Sequence, residues 1–294
     1  MSRHRLTWVD VFADGPLAGN PLAVVHGADG VGEEAMLAFA RETGLSETTF
    51  VQSPSAAARE AGDAPGPAEY RNRIWTIGGE IPFAGHPSLG TAVAVAIERG
   101  VESARFVQET GVGRQEVEVA REGEAWRASV HQEAAELGPV FKPERMAPIL
   151  GLEPAGVDPR LSSQVVSTGF PTLLVPLADR EALGRCAPDP ERIAELGLDG
   201  RTNLYPFVFD VPSRTARARC FAVDVGGFED PATGSAAGPL VAYLQDVLDV
   251  DRIEIEQGVE MGRPSRIEAR MERGRPRVGG LVREVIRGEA VLPP

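Results

Sequence analysis

Apolar and polar residues alternate through Leu6-Thr7-Trp8-Val9-Asp10-Val11-Phe12, the period of a strand, and Asp14-Gly15-Pro16 closes it with turn chemistry. Gly19-Asn20-Pro21 restarts an extended run from Leu22 to His26. From Glu33 to Glu42 the period changes to that of a helix, with Met36, Leu37, Phe39 and Ala40 near one face and Gly44 as its stop. Leu45 to Val51 is β-rich, so Glu47 falls where a helix hands over to a strand. Residues 53–69, rich in Ala, Gly and Pro, read as a loop, and Arg71 to Ile77 as a strand turned by Gly78-Gly79. Pro87 to Ile97 is apolar almost all round, which predicts a helix buried on every side with Pro87 at its first position. Further strands are expected between about 105 and 131, including Gln115–Val119 and Trp126–Val130.

The second half follows the same plan. Val165 to Pro171 and Thr172 to Leu177 read as paired strands, Asp189 to Leu196 as a helix, and Leu204–Val211 and Arg217–Val223 as strands. A second apolar helix runs to about Leu248, followed by strands at Ile253–Gln257, Arg266–Met271, Val278–Val285 and one short terminal strand. Each long apolar helix opens from a glycine turn: Phe83-Ala84-Gly85-His86-Pro87-Ser88 in one case, Asp230-Pro231-Ala232-Thr233-Gly234-Ser235 in the other. Strands outnumber helices and few are joined by them, which excludes a βαβ plan. The expected fold is α+β: two pseudo-symmetric domains, each a curled, mostly antiparallel sheet around one buried helix. The expected boundaries are 1–124, 125–280, and a final strand at 281–294 returning to the N-terminal domain. Helix starts carry unpaired N–H groups and partial positive charge, so two such ends aimed at one point would hold a small anion.

Composition narrows the function. With 294 residues and 43% hydrophobic content, the chain can bury two cores of ordinary size. A formal charge of −13 argues against a sequence-independent grip on nucleic acid. Lys142 is the only lysine and stands in a loop-like Phe-Lys-Pro-Glu context, which argues against Schiff-base chemistry. Cys186 and Cys220 lack metal-type spacing, and His4, His26, His86 and His131 are scattered, so no metal site is expected. No Gly-x-Gly-x-x-Gly or Walker loop offers a cradle for a nucleotide, and cofactor-free chemistry is the expectation. No signal-peptide pattern or membrane-length apolar run is found, so a cytoplasmic protein without a membrane partner is expected.

Proton transfer at carbon needs a base, a route for the returning proton and an anchor for the substrate. Glu47, His86, Asp230 and Ser235 are the candidates, each beside a turn or an element end. Each also has a plainer reading. Glu47 fits a solvated strand edge, His86 a helix cap, Asp230 a turn former before proline, Ser235 a helix N-cap, and Asn20 a turn residue.

Five ordered blocks carry a resemblance. They are Asp10-Val11-Phe12 with Gly19-Asn20-Pro21, Leu45-Ser46-Glu47-Thr48-Thr49-Phe50-Val51, Glu80-Ile81-Pro82-Phe83-Ala84-Gly85-His86-Pro87, Asp230 to Gly238, and Gln257 to Ser265. Over nearly its whole length the chain resembles the PhzF-like phenazine-biosynthesis family, which shares the diaminopimelate epimerase fold. The resemblance implies a cofactor-independent isomerase that shifts a proton on a small cyclic amino-hydroxy carboxylate, trans-2,3-dihydro-3-hydroxyanthranilate in phenazine biosynthesis. It implies an active site between the two domains, with Glu47 as general acid/base, His86, Asp230 and Ser235 in support, and the turns at Gly85 and Gly234 holding the carboxylate. Asn20 joins the two glycines as a substrate-binding residue, and a homodimer is implied. Two features depart from the pattern: Thr76-Ile77 replaces the family's Thr-Pro, and neither glycine turn carries the cysteine of the epimerases. The latter disfavours two-cysteine racemisation. An isomerase of another small carboxylate and a non-catalytic metabolite-binding relative are the other readings.

Overall fold

The structure, a computed structural model, describes residues 1–198, 202–222 and 228–293. The chain forms two compact units, Met1–Val130 with Gly279–Pro294, and His131–Val278. The first division falls six residues after the expected one at 124/125, and the second two residues before the expected one at 280/281.

In the first unit, β1 (Ser2–Val11) pairs antiparallel with β2 (Asn20–Val25), and helix α1 (Glu33–Thr43) crosses over to β3 (Thr48–Gln52), parallel to β2. A short helix α2 (Ala56–Glu60) comes next, then β4 (Tyr70–Thr76), antiparallel to β3, and β5 (Gly79–Ile81), its hairpin partner. Helix α3 (Gly85–Arg99) leads to β6 (Ser103–Thr110), parallel to β4, and then to β7 (Gly113–Glu122) and β8 (Ala125–His131), each antiparallel to its predecessor. The terminal strand pairs with both β8 and β1, so these strands close a ring. Helix α3 packs against β1, β2, β3, β4, β6 and β7.

The second unit opens with β9 (Glu136–Phe141) and a helical turn α4 (Pro143–Met146), then β10 (Ser163–Ser167), antiparallel to β9, and β11 (Pro171–Pro176), antiparallel to β10. Two short helices, α5 (Arg180–Arg185) and α6 (Pro190–Ala194), cross to β12 (Asn203–Asp210), parallel to β11. Next come β13 (Thr215–Ala218) and β14 (Cys220–Ala222), both antiparallel to β12, and β15 (Phe228–Asp230), antiparallel to β14. Helix α7 (Gly234–Leu248) precedes β16 (Arg252–Gln257), parallel to β13, and β17 (Ser265–Glu272), antiparallel to β16. The closing strand β18 (Arg275–Leu292) begins in this unit and ends in the first.

The expected helix at 87–97 forms, and every residue from Gly85 to Ala96 is buried. It starts two residues earlier than expected, which puts Pro87 at the third position, still within the turn where N–H groups have no helical acceptor. Its sequence is a poor helix former alone, with Gly90 interrupting it and Val93 and Val95 losing rotamers against the preceding turn. The surrounding strands make it a helix, and at Gly90 they approach too closely for a side chain. A Cβ there would sit 2.6 Å from Leu22 Cδ2 and 2.8 Å from Val11 Cγ2.

Three expectations are corrected. The loop at 53–69 contains α2, nucleated by Ser55, whose hydroxyl accepts from the N–H of Ala58. The helix expected at 189–196 is shorter and has α5 as a neighbour, capped by Asp179. Val278–Val285 and the terminal strand are one continuous strand, paired with β1 from Val282 to Leu292 with a bulge opposite Trp8 and Val9. Val223, an expected strand end, lies outside the described residues. Among the described residues, no helix is long and apolar enough to cross a membrane.

Overfilling the helix–strand contact tests this packing. Gly90→Val is expected to lower stability by about 2–3 kcal/mol, read as a lower urea midpoint at unchanged slope. An unchanged midpoint would contradict it.

Candidate active site

Gly44 ends α1 in the left-handed conformation at φ 63°, and its N–H returns to the carbonyl of Ala40. The Thr48 hydroxyl meets that of Thr43 at 2.8 Å, and Thr43 in turn donates to the Ala40 carbonyl at 2.9 Å. The segment Leu45–Glu47 is thereby pinned at both ends, and Glu47 enters β3 as its immediate forerunner. Asn20 occupies the same end of the neighbouring parallel strand β2. Gly19 before it adopts φ 75°, and a Cβ would lie 2.3 Å from the Val11 carbonyl, so only glycine fits.

His86 is the second residue of α3, and its side chain is 5% exposed. Asn20 Nδ2 donates to its Nδ1 at 3.1 Å, and the Asn20 carbonyl oxygen accepts from Ser46 Oγ at 3.4 Å. That amide orientation makes Nδ1 the acceptor and leaves the ring proton on Nε2. Nε2 makes no hydrogen bond among the described residues and lies 3.5 Å from Glu47 Oε2, whose side chain is 17% exposed. Burial pushes the His86 pKa down from 6.5 to about 3. The contact is therefore a neutral N–H facing a carboxylate, not an ion pair. The structure thus brings Asn20, Glu47 and His86 together, with Ser46 as an unexpected fourth member. Among the described residues, the N-cap residues Ala84 of α3 and Thr233 of α7 make no side-chain capping hydrogen bond.

Asp230, Gly234 and Ser235 lie in the second unit. Asp230 ends β15, and its Oδ2 accepts from Thr233 Oγ1 at 2.5 Å. Ser235 is the second residue of α7, not its N-cap, a position held by Thr233. Pro239 sits four residues on and has no N–H to return to the Ser235 carbonyl. This turn is held by Gln257, which is fully buried. Its amide donates to the Asp230 carbonyl at 2.7 Å and to Thr233 Oγ1 at 2.9 Å, and its oxygen accepts from Tyr205 at 2.9 Å and the Thr233 N–H at 3.3 Å. All four of its hydrogen-bonding positions are used. Ser265 Oγ adds a hydrogen bond to the Pro231 carbonyl at 2.9 Å. The fifth sequence block is thus the buttress of the second glycine turn. Gln257 escapes a search for functional residues by sequence, although it continues the inward series Ile253, Ile255 and is polar where the pattern demands an apolar side chain.

Cys220, distant from the turn in sequence, pairs with Asp230 across β14 and β15. It is buried and its thiol is held far above its usual range by desolvation, which leaves it inert as a base. Thr76-Ile77 forms the β4–β5 hairpin, with Ile77 exposed and its carbonyl accepting from Arg41 at 2.9 Å. Among the described residues, no group of three or more His, Cys, Asp or Glu side chains is arranged to hold a metal ion.

Strands packed around buried helices place the chain in the α+β class, and its similarity to named isomerases makes it an isomerase. The chain belongs to the family described as phenazine biosynthesis-like protein, whose profile matches residues 9–293. It is 36% identical to the trans-2,3-dihydro-3-hydroxyanthranilate isomerase of Pseudomonas aeruginosa over 95% of this chain and 94% of that one. It is 35% identical to an uncharacterized isomerase of Mesorhizobium japonicum over 96% of this chain and 97% of that one. Among solved structures, a predicted epimerase from Pseudomonas aeruginosa superposes with a TM-score of 0.81 at 32% identity, covering 98% of this chain and 99% of that one.

The buried imidazole has two measurable consequences. The unfolded chain takes up a proton near pH 6.5 that folded His86 refuses until about pH 3, so stability falls as pH drops through that window and is level above it. His86→Asn is expected to remove about 1.5 kcal/mol of the loss between pH 6.5 and 5, measured by urea unfolding; His26, also shifted downward by burial, keeps its share. In ¹⁵N NMR of the wild type, His86 is expected to show the Nε2–H tautomer, with Asn20→Leu releasing it to a mixture. An Nδ1–H signature in the wild type would contradict the assigned network.

Proposed function

We propose that this isomerase moves a proton along the allylic system of a small cyclic amino-hydroxy carboxylate, with trans-2,3-dihydro-3-hydroxyanthranilate as the leading substrate. In this reading Glu47 removes a carbon-bound proton at one end of the system and returns a proton at the other, so no atom is gained or lost. The observation that carries the reading is the carboxylate of Glu47 facing the buried, neutral Nε2–H of His86 at the head of α3. A neutral donor at that distance favours the ionised carboxylate that a base must present, without supplying a competing acid. Gly85 and Gly234 are read as the turns whose N–H groups bind the substrate carboxylate, with Asn20, Asp230 and Ser235 completing the set. We read the two units as related domains, and the working enzyme as a cytoplasmic, cofactor-free homodimer.

Support for the substrate comes from the Pseudomonas relative of that name. A second reading, the same chemistry on another small carboxylate, is favoured by the Thr76-Ile77 hairpin and by the Mesorhizobium relative, whose name specifies no substrate.

The test is turnover of trans-2,3-dihydro-3-hydroxyanthranilate in D₂O followed by NMR. Deuterium is expected to enter the ring of the product, and Glu47→Gln to lower kcat by about 10²–10⁴-fold with KM little changed. A Glu47→Gln enzyme within tenfold of wild type would remove Glu47 as the base. No turnover by folded wild type would leave the second reading.

A further inference from the structure

Each unit contains a buried arginine engaged in the same way. In the first, Arg73 on β4 donates from Nε to Glu80 Oε1 at 2.7 Å and from Nη2 to Glu80 Oε2 at 2.5 Å, while Nη2 also reaches Glu33 Oε1 at 2.8 Å. Its guanidinium lies 5.5 Å from the centroid of Trp75, two residues on. In the second, Arg219 donates from Nε to Glu229 Oε1 and from Nη2 to Glu229 Oε2, both at 2.8 Å. Its guanidinium lies 4.8 Å from the centroid of Phe221, again two residues on. Strand register pairs Trp75 with Glu80 and Phe221 with Glu229.

The third contact of each arginine goes to the crossover helix of its own unit. Glu33 is the first residue of α1. Arg219 Nη1 donates to the Leu183 carbonyl at 3.1 Å and the Cys186 carbonyl at 2.9 Å, at the C-terminal end of α5. Both arginine side chains are 10% exposed.

The chain beyond each glutamate repeats as well. Glu80 and Glu229 each stand five residues before the turn glycine, in Glu80-Ile81-Pro82-Phe83-Ala84-Gly85 and Glu229-Asp230-Pro231-Ala232-Thr233-Gly234. The proline between is held by close approach of a further glycine. A Cβ on Gly111 would lie 2.6 Å from Pro82 Cα, and one on Gly258 would lie 2.5 Å from the Pro231 carbonyl oxygen. Between the clamped glutamate and the helix start, little of the backbone is left free to re-aim.

We propose that Arg73 and Arg219 are positioning residues: each clamps the glutamate of the strand that feeds its glycine turn, and thereby sets the direction in which the N–H groups of Gly85–His86 and Gly234–Ser235 point. The role in catalysis rests on the function proposed above; the positioning itself does not. A bidentate pair between planar groups fixes orientation as well as distance, which a single surface ion pair does not. Burial of such a pair is weak evidence for stability, because apolar residues of similar volume often serve as well. Its recurrence at the same place before both turns points to geometry.

Removing one partner would leave a buried charge and endanger folding, so the informative variant replaces both. In full-length protein, Arg219→Met with Glu229→Met is expected to stay folded, with an unfolding midpoint close to wild type. Backbone ¹⁵N order parameters at Gly234 and Ser235 should fall from about 0.85 to below about 0.6, while Leu240 within α7 is unchanged. Titrated anthranilate should bind at least tenfold more weakly. With trans-2,3-dihydro-3-hydroxyanthranilate, KM should rise tenfold or more while kcat stays within threefold, a split that general loosening would not produce. Arg219→Lys, which keeps the charge but loses the fork, should fall between the two. Arg73→Met with Glu80→Met should lower the order parameters of Gly85 and His86 in the same way, and kcat should fall as well as KM rise, because His86 faces the Glu47 carboxylate. Unchanged order parameters in a folded double variant would overturn the proposal. Lowered order parameters in a protein whose wild type turns over nothing would uphold the positioning and sink the functional reading alone.

Discussion

A helix buried on every side leaves its sheet little choice. Twelve consecutive residues of α3, Gly85 to Ala96, lie out of water, so strands must cover the helix all round. In the first unit they do so by closing a ring through β18, and that one requirement explains the length of the terminal strand. It also explains Gly90, the point at which Val11 and Leu22 leave no room for a methyl group. The helix start is then delivered at a fixed place, at the end of β2 and β3 where Asn20 and Glu47 sit. The placement of these side chains depends on this wrapping.

The same enclosure sets the electrostatics. An imidazole on a solvated helix end would titrate near neutrality, but His86 is desolvated enough to stay neutral down to about pH 3. A neutral ring has one donor and one acceptor, so a single hydrogen bond decides its direction. Ser46 orients the Asn20 amide, the amide orients the ring, and the ring presents Nε2–H to Glu47. Four residues from three sequence blocks act as one unit through two hydrogen bonds and one close contact.

Much of this was legible in the chain. Periodicity marks both long helices, and Gly85 and Gly234 mark their starts. Gly44 ends α1 where expected, and Glu47 and His86 meet. The parts that were not legible have physical reasons. In α2 and α5 a local cap, Ser55 or Asp179, nucleates a helix too short to show a period. Ser235 looks like a cap because the residue type suits one, yet Thr233 holds that position and spends its hydroxyl on Asp230. Gln257 was visible as an anomaly in an inward series, but its partners Tyr205, Asp230 and Thr233 come from three other elements.

The two arginine clamps show why some constellations escape motif reading altogether. Trp75 and Glu80 are separated by a tight hairpin, Phe221 and Glu229 by a longer connection, so the Arg–Glu spacing differs between the halves. Strand register removes the difference, because each glutamate stands opposite its aromatic residue and each arginine two positions before it. A cross-strand relation is indifferent to loop length, whereas a sequence motif is defined by it. The counterpart contact reaches opposite ends of the crossover helices, an acidic side chain at the first turn of α1 and backbone carbonyls at the last turn of α5. Both ends suit a guanidinium: directly at the carbonyls, and at the N-terminus through a glutamate that the helix dipole also favours. The arrangement thus survives a change of loop, of aromatic residue and of helix end, and through all three it keeps the glutamate held five residues before the turn.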